Sequence, residues 1–148
     1  MLLNMVTPDS LALLSQQLKS AAAEAGRPTP KLAVWLCCAI DPGPETIEQL
    51  LRAVVGYLAA PGYSEMISAA GFAQLVEFAR TRPHPRELLA AMPPELVSAI
   101  GLVGSRSQIS ERIDEYRCAG ADEICLVPAT ADDPGGIKSL TAMRLEIA

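Results

Sequence analysis

Few residues in this 148-residue chain have the type and spacing to do chemistry, and most of them stand alone. Asp41, ahead of Pro42-Gly43-Pro44, could act as a base or hold a ligand hydroxyl, although capping a turn is the commoner use of Asp before such a sequence. Gly135 and Gly136 open a C-terminal helical stretch and could present backbone N–H groups to a phosphate or carboxylate, where a plain flexible turn is the simpler account. Tyr63 follows Pro61-Gly62 and offers a phenol, with helix packing as its ordinary role. His84, the only histidine, lies between two prolines and reads as solvated. Asp122-Glu123 and Asp132-Asp133 read as solvated cap and loop charges, without the unequal environments that separate an acid from a base. Cys37, Cys38, Cys118 and Cys125 form no C-x-x-C pair, and Cys37 and Cys38 must point to opposite faces of a strand. They read as small core residues in a reducing cytoplasm, and no metal site is expected.

Composition narrows the field. A net charge of −5 and a pI near 4.8 leave no clustered basic face for nucleic acid. No apolar run approaches the ~20 residues of a membrane span, and the N-terminus lacks the pattern of a secretory signal. Half the residues are apolar, enough for the core of one domain.

The elements that must position these residues are legible in order. Leu2 to Val6 reads as the tail of a strand. Thr7 then caps a helix with Pro8 at its first position and a stripe of Leu11, Leu14, Leu18, Ala21 and Ala25, ended by Gly26. Leu32 to Ile40 is nine apolar residues without alternation, the mark of a strand covered on both faces. Ile47, Leu50, Leu51, Val54, Val55 and Leu58 give a clear helical stripe. From Pro61 to Gly101, short helical pieces are broken by Pro61-Gly62, Gly71, Pro83-His84-Pro85 and Pro93-Pro94. This stretch is far longer than a normal α/β connection and is expected to form a helical insertion lying on the outside or over one end of the fold.

The most informative stretch is Leu102 to Pro128, which reads as turn, helix, turn and strand. Ser105 and Gln108 are spaced as a capping box, Ile109, Ile113 and Tyr116 form one stripe, and Gly120 sits at a helix end. Ile124 to Val127 is a short buried run stopped by Pro128. Helix followed by buried strand is the unit of α/β folds with parallel sheets. Leu32–Ile40 and Glu123–Val127 should therefore be parallel neighbours, which places the loops Asp41–Pro44 and Pro128–Gly136 at one end of the sheet.

The pattern V-G-S-x-x-x-I-x-x-R-I-x-x-Y-x-x-A-G-A-D-E-I-C-L-V-P from Val103 to Pro128 resembles the last helix–strand unit of the luciferase-like flavin and deazaflavin oxidoreductases. Gly62-Tyr63, Ala70-Gly71-Phe72 and Pro94-Glu95-Leu96-Val97 add a resemblance to the branch that uses coenzyme F-420. The resemblance implies an α/β fold: part of a (β/α)₈ TIM barrel, contributing its last two to three parallel strands with covering helices. A whole barrel takes about 250 residues and eight strands.

By the same resemblance, the function is hydride transfer between reduced F-420, or FMN, and a small organic substrate. Tyr63 falls on the substrate side, while Asp41, Gly135 and Gly136 are the only candidates toward a cofactor. No catalytic residue carries over, and the phosphate-gripping loop has no counterpart. The chain alone is therefore expected to be inactive and to bind neither cofactor. The alternative is a non-enzymatic half-barrel module, whose open sheet edge pairs with the missing N-terminal half or with a copy of itself.

Overall fold

Strand β2, Ala33–Ile40, carries the sheet. The computed structural model describes residues 1–147, with side chains through Arg144. Along one edge of β2 runs β4, Glu123–Pro128, in parallel register from Ala33↔Glu123 to Cys38↔Pro128. β1, Leu2–Asn4, pairs in parallel with Ala33–Trp35, and β3, Leu102–Gly104, pairs in parallel with Cys38–Ile40. A strand residue has only two edges, and β4 takes one of them along this whole span. β1 and β3 therefore share the other edge, one after the other. The parallel pairing of β2 with β4 is as the sequence predicts. β3 is a correction, because Leu102–Gly104 reads as a turn. Three residues are too few to show a period, and their strand state comes from pairing alone.

The helices divide between the two faces of this sheet. On one face lie α1 (Pro8–Glu24), α7 (Arg106–Cys118) and α8 (Ile137–Ile147). Leu11, Ile109, Ile113, Tyr116 and Met143 pack there against Val34, Leu36, Cys38 and Ile40 of β2. The other face holds α2 (Pro44–Val54), α3 (Tyr63–Ile67), α4 (Ala73–Arg80), α5 (Pro85–Ala91) and α6 (Glu95–Ala99). Their apolar stripes, Leu50, Leu51 and Val54 among them, close over Ala39, Val103 and Ala129. The insertion thus sits over one end of the sheet, on the face opposite α1 and α7.

This placement corrects the reading of β2 as covered throughout. Cys38, Ala39 and Ile40 are buried, but Trp35 remains 49% exposed. The insertion covers only the C-terminal half of its face, so the N-terminal half alternates. Two further expectations fail for the same kind of reason. Ala21 and Ala25 are exposed, because α1 outruns the sheet it packs on. Cys118 and Cys125 are exposed rather than core, since one lies in the last turn of α7 and the other on the uncovered part of β4.

Capping follows the sequence closely. Thr7 Oγ1 accepts from Ser10 N at 3.2 Å. Ser105 and Gln108 satisfy each other, with Ser105 N donating to Gln108 Oε1 at 2.8 Å and Gln108 N to Ser105 Oγ at 3.4 Å. Gly120 turns left-handed at φ +105°, and a Cβ there would lie 2.5 Å from Ser15 Oγ, so α7 can approach α1 only with glycine at this position. The buried Tyr116 hydroxyl donates to the Val6 carbonyl at 2.6 Å and ties α7 to the turn that follows β1. Burial raises the pKa of this phenol well above its usual value, so it stays protonated.

Two measurements check this arrangement. Tyr116→Phe leaves the Val6 carbonyl without its donor and is expected to lower stability by about 1–3 kcal/mol in urea unfolding, with little change in m-value. Thiol labelling should divide the four cysteines into two pairs. Cys118 and Cys125 react in the native state. Cys37 and Cys38 react only on unfolding, because burial raises both thiols and pushes Cys38 up to about 12, with smaller contributions from the charges of Cys37 and Asp133.

Candidate functional site

Parallel strands deliver their following loops to one end of the sheet. Asp41 ends β2 in a left-handed conformation at φ +44°, and its N–H donates to the Gly104 carbonyl at 2.9 Å. Its carboxylate is exposed, and the residue in the capping position ahead of α2 is Gly43 rather than Asp41. The loop after β4 closes against the same helix start. Asp132 Oδ2 accepts from Thr46 N at 3.2 Å and from Thr46 Oγ1 at 2.8 Å, and Gln49 Oε1 accepts from Thr130 N and Ala131 N, both at 3.0 Å. The loop after β4 is therefore bound to the first turns of α2, the helix that follows the Asp41–Pro44 loop.

Gly135 and Gly136 lie in that rim at φ +71° and +67°. The N–H groups around them already have acceptors. Gly136 N donates to the Asp133 carbonyl at 2.7 Å, while Lys138 N and Ser139 N donate to the Asp133 carboxylate at 2.9 and 2.8 Å. Ser139 N–H, followed by that of Lys138, holds this carboxyl below its usual range. Asp133 thus engages the N–H groups of Gly136, Lys138 and Ser139. Lys138 Nζ turns back to the Ile40 carbonyl at 3.2 Å, which ties α8 to the end of β2.

Tyr63 reaches a different place. Its hydroxyl donates to Asn4 Oδ1 at the C-terminal end of β1, and its ring meets Tyr57 edge to face at 4.9 Å. Tyr63 and Asn4, together with Trp35, Leu2, Leu13 and Met66, line an open, mostly apolar groove of about 640 Å³. Glu65 stands at the groove as well. Its own backbone N–H, the Ser64 hydroxyl and the Gly62 N–H hold its carboxyl below the usual range. His84 lies away from the groove: its Nδ1 accepts from Arg86 N at 3.2 Å and helps begin α5.

The structure thus brings Asp41, Gly135 and Gly136 to one rim, and places Tyr63 with two residues that sequence reasoning passed over. Asn4 was visible as the one polar residue in the apolar start of the chain. Trp35 carried no signal, because an exposed position inside an all-apolar strand depends on what covers the sheet. Among the described residues, no group of three His, Cys, Asp or Glu side chains comes together to hold a metal ion, and no helix is long and apolar enough to cross a membrane.

Parallel strands alternating with covering helices, with connecting loops gathered at the strand ends, define this as part of an α/β barrel. The sequence model of luciferase-like monooxygenases matches residues 1–123, and the chain belongs to that family. No curated protein sequence matches it. Among solved structures, it is similar to an F-420-dependent secondary alcohol dehydrogenase in complex with an F-420–acetone adduct, at 16% identity and TM-score 0.66. It is also similar to the coenzyme F-420-dependent tetrahydromethanopterin reductase of Methanopyrus kandleri, at 18% identity and TM-score 0.68. These alignments take in 99% and 98% of this chain but only 42% and 43% of those proteins, so the chain spans less than half the length of either.

Substitution separates a packing role from a binding role for the glycine pair. A Cβ at Gly136 would lie 2.3 Å from Pro128 Cβ and Cγ, whereas at Gly135 the nearest atom is Ile137 Cγ1 at 3.7 Å. Gly135→Ala is expected to cost about 1–2 kcal/mol for its left-handed backbone alone. Gly136→Ala should cost about 1–3 kcal/mol more, because the added methyl overpacks against Pro128. Chemical denaturation of the two variants measures the difference.

Proposed function

We propose that this chain is the C-terminal portion of an oxidoreductase, supplying the substrate-side wall of a site that moves a hydride between coenzyme F-420 and a small organic substrate. The observation that carries the reading is the Tyr63–Asn4 pair beside Trp35 at an apolar groove. Family membership and the F-420 dependence of both similar structures support it. FMN is the other cofactor of the same chemical kind.

The residues present fit one end of such a cofactor site and not the other. Trp35, Leu2 and Met66 offer an apolar wall for a flat ring or a small substrate. With Oδ1 accepting from Tyr63, the Asn4 amide keeps its N–H groups to donate, and the Tyr63 oxygen can still accept. A ligand carrying one carbonyl or hydroxyl suits that pair. Toward a phosphate the chain offers little, because the N–H groups at the start of α8 are held by Asp133. The bound deazaflavin or flavin supplies the hydride chemistry, and the protein's share is to position the partners and keep the site dry. The four unpaired cysteines suit a reducing cytoplasm.

Titration of the purified chain with F-420 or FMN, followed by absorbance or fluorescence, is expected to show no binding. Fusion to the preceding βα units of a luciferase-like protein should restore it, and Tyr63→Phe in that fusion should raise KM more than it lowers kcat. Micromolar binding by the chain alone would overturn the incomplete-site reading.

A further inference from the structure

Charge is distributed unevenly around the groove beside Asn4 and Tyr63. Glu65 is the only residue with a charged side chain among those that line it. The rest of the wall is apolar or carries neutral polar groups such as Asn4, Ser10 and Gln17. No lysine or arginine stands in the lining, so this carboxylate has no counter-charge inside the groove. No cation forms an ion pair with it from outside either, among the described residues. Arg80 acts on it least of all the groups that influence its carboxyl, and is already bound to Glu77 at 2.5 Å.

The chain holds this charge in place. Glu65 Oε2 accepts from Gly62 N at 2.6 Å and from Ser64 Oγ at 3.0 Å. The first of these bonds caps α3, whose first residue is Tyr63, so one turn of chain fixes both carboxylate and phenol. Donors of this kind favour the ionised form of the carboxyl. A fixed anion acts on a ligand before any contact is made. An entering carboxylate or phosphate loses water against an apolar wall and meets a like charge that no cation offsets. An uncharged carbonyl or alcohol meets only the Asn4–Tyr63 pair, and an ammonium group meets attraction.

We propose that Glu65 sets the charge specificity of the groove, admitting uncharged and cationic organic compounds and turning away carboxylates and phosphates. The inference rests on the reading of the groove as the substrate wall and deepens it by naming the class of substrate.

Three probes built on one ring separate charge from shape: benzyl alcohol, benzoate and benzylammonium. Asn4 is the only asparagine, Trp35 the only tryptophan, and both line the groove. The Asn4 side-chain amide and the Trp35 indole N–H therefore report binding in NMR titrations of the full chain. At about 0.01 M salt, benzoate should bind more weakly than benzyl alcohol, and benzylammonium should not. Glu65→Gln keeps an acceptor for Gly62 N and removes the charge. It should strengthen benzoate relative to benzyl alcohol by about threefold or more, and weaken benzylammonium relative to it. These opposite shifts should fade at about 1 M salt. A loosened turn alone would move all three probes in the same direction. Glu24→Gln, at the C-terminal end of α1, removes the same charge away from the groove and should leave both ratios as they were. Ratios that Glu65→Gln leaves alone, or that Glu24→Gln changes equally, overturn the proposal while the groove remains a binding site. If none of the probes moves the Asn4 or Trp35 signals, the substrate-wall reading fails and the charge selection fails with it.

Discussion

A β-strand has two edges and two faces, and most of this structure follows from how β2 uses its four sides. One edge is given wholly to β4, and the other is divided between β1 and β3. One face is covered along its length by α1, α7 and α8, and the other only over its C-terminal half. Parallel strands require crossovers, and the crossovers put helices on the faces. The all-apolar composition of Ala33–Ile40 follows from this where coverage is complete. Where coverage stops, Trp35 stands in the open beside the apolar groove that carries the Asn4–Tyr63 pair.

The sequence was most legible where a signal is local. Thr7, Ser105–Gln108 and Gly120 each act within one helix end, and each does what its spacing indicates. The stripe Ile109, Ile113, Tyr116 is buried as expected because α7 lies along the middle of a covered face. The failures are all non-local. Leu102–Gly104 is a strand because β2 offers it an edge, and nothing in three residues announces that. Cys125 is exposed and Cys38 buried on the same sheet, although the two are apolar neighbours by sequence pattern. What separates them is whether a helix lies above.

The candidate site divides in the same way. Gly135 and Gly136 read most simply as a plain flexible turn, and both adopt left-handed backbone there. Their N–H groups could not be assigned from sequence, because the competing acceptor, Asp133, is a residue that reads as an ordinary loop charge. Tyr63 was singled out by resemblance, but its partner Asn4 lies 59 positions away in the chain. Such a pairing is fixed by how the α2–α6 layer sits on the sheet. The site is thus a product of the insertion's packing more than of any motif.

The hydrogen bond from Asp41 N to the Gly104 carbonyl has a bearing on how such a protein can diversify. It joins the residue where the chain leaves β2 to the residue from which it enters α7. Everything from 42 to 103 is therefore an excursion whose two ends meet, set into what is otherwise one plain strand-to-helix step. Segments with adjoining ends can be exchanged or lost with little disturbance to the scaffold that carries them. The excursion brings Tyr63 and its own stub of strand, while Asn4 and Trp35 belong to the scaffold. Grafting a different excursion at this seam would change the wall a ligand meets and leave β1, β2, β4, α7 and α8 in place. The architecture is in that sense a cassette holder, with the ends of the variable part joined by the Asp41–Gly104 contact and the β2–β3 pairing.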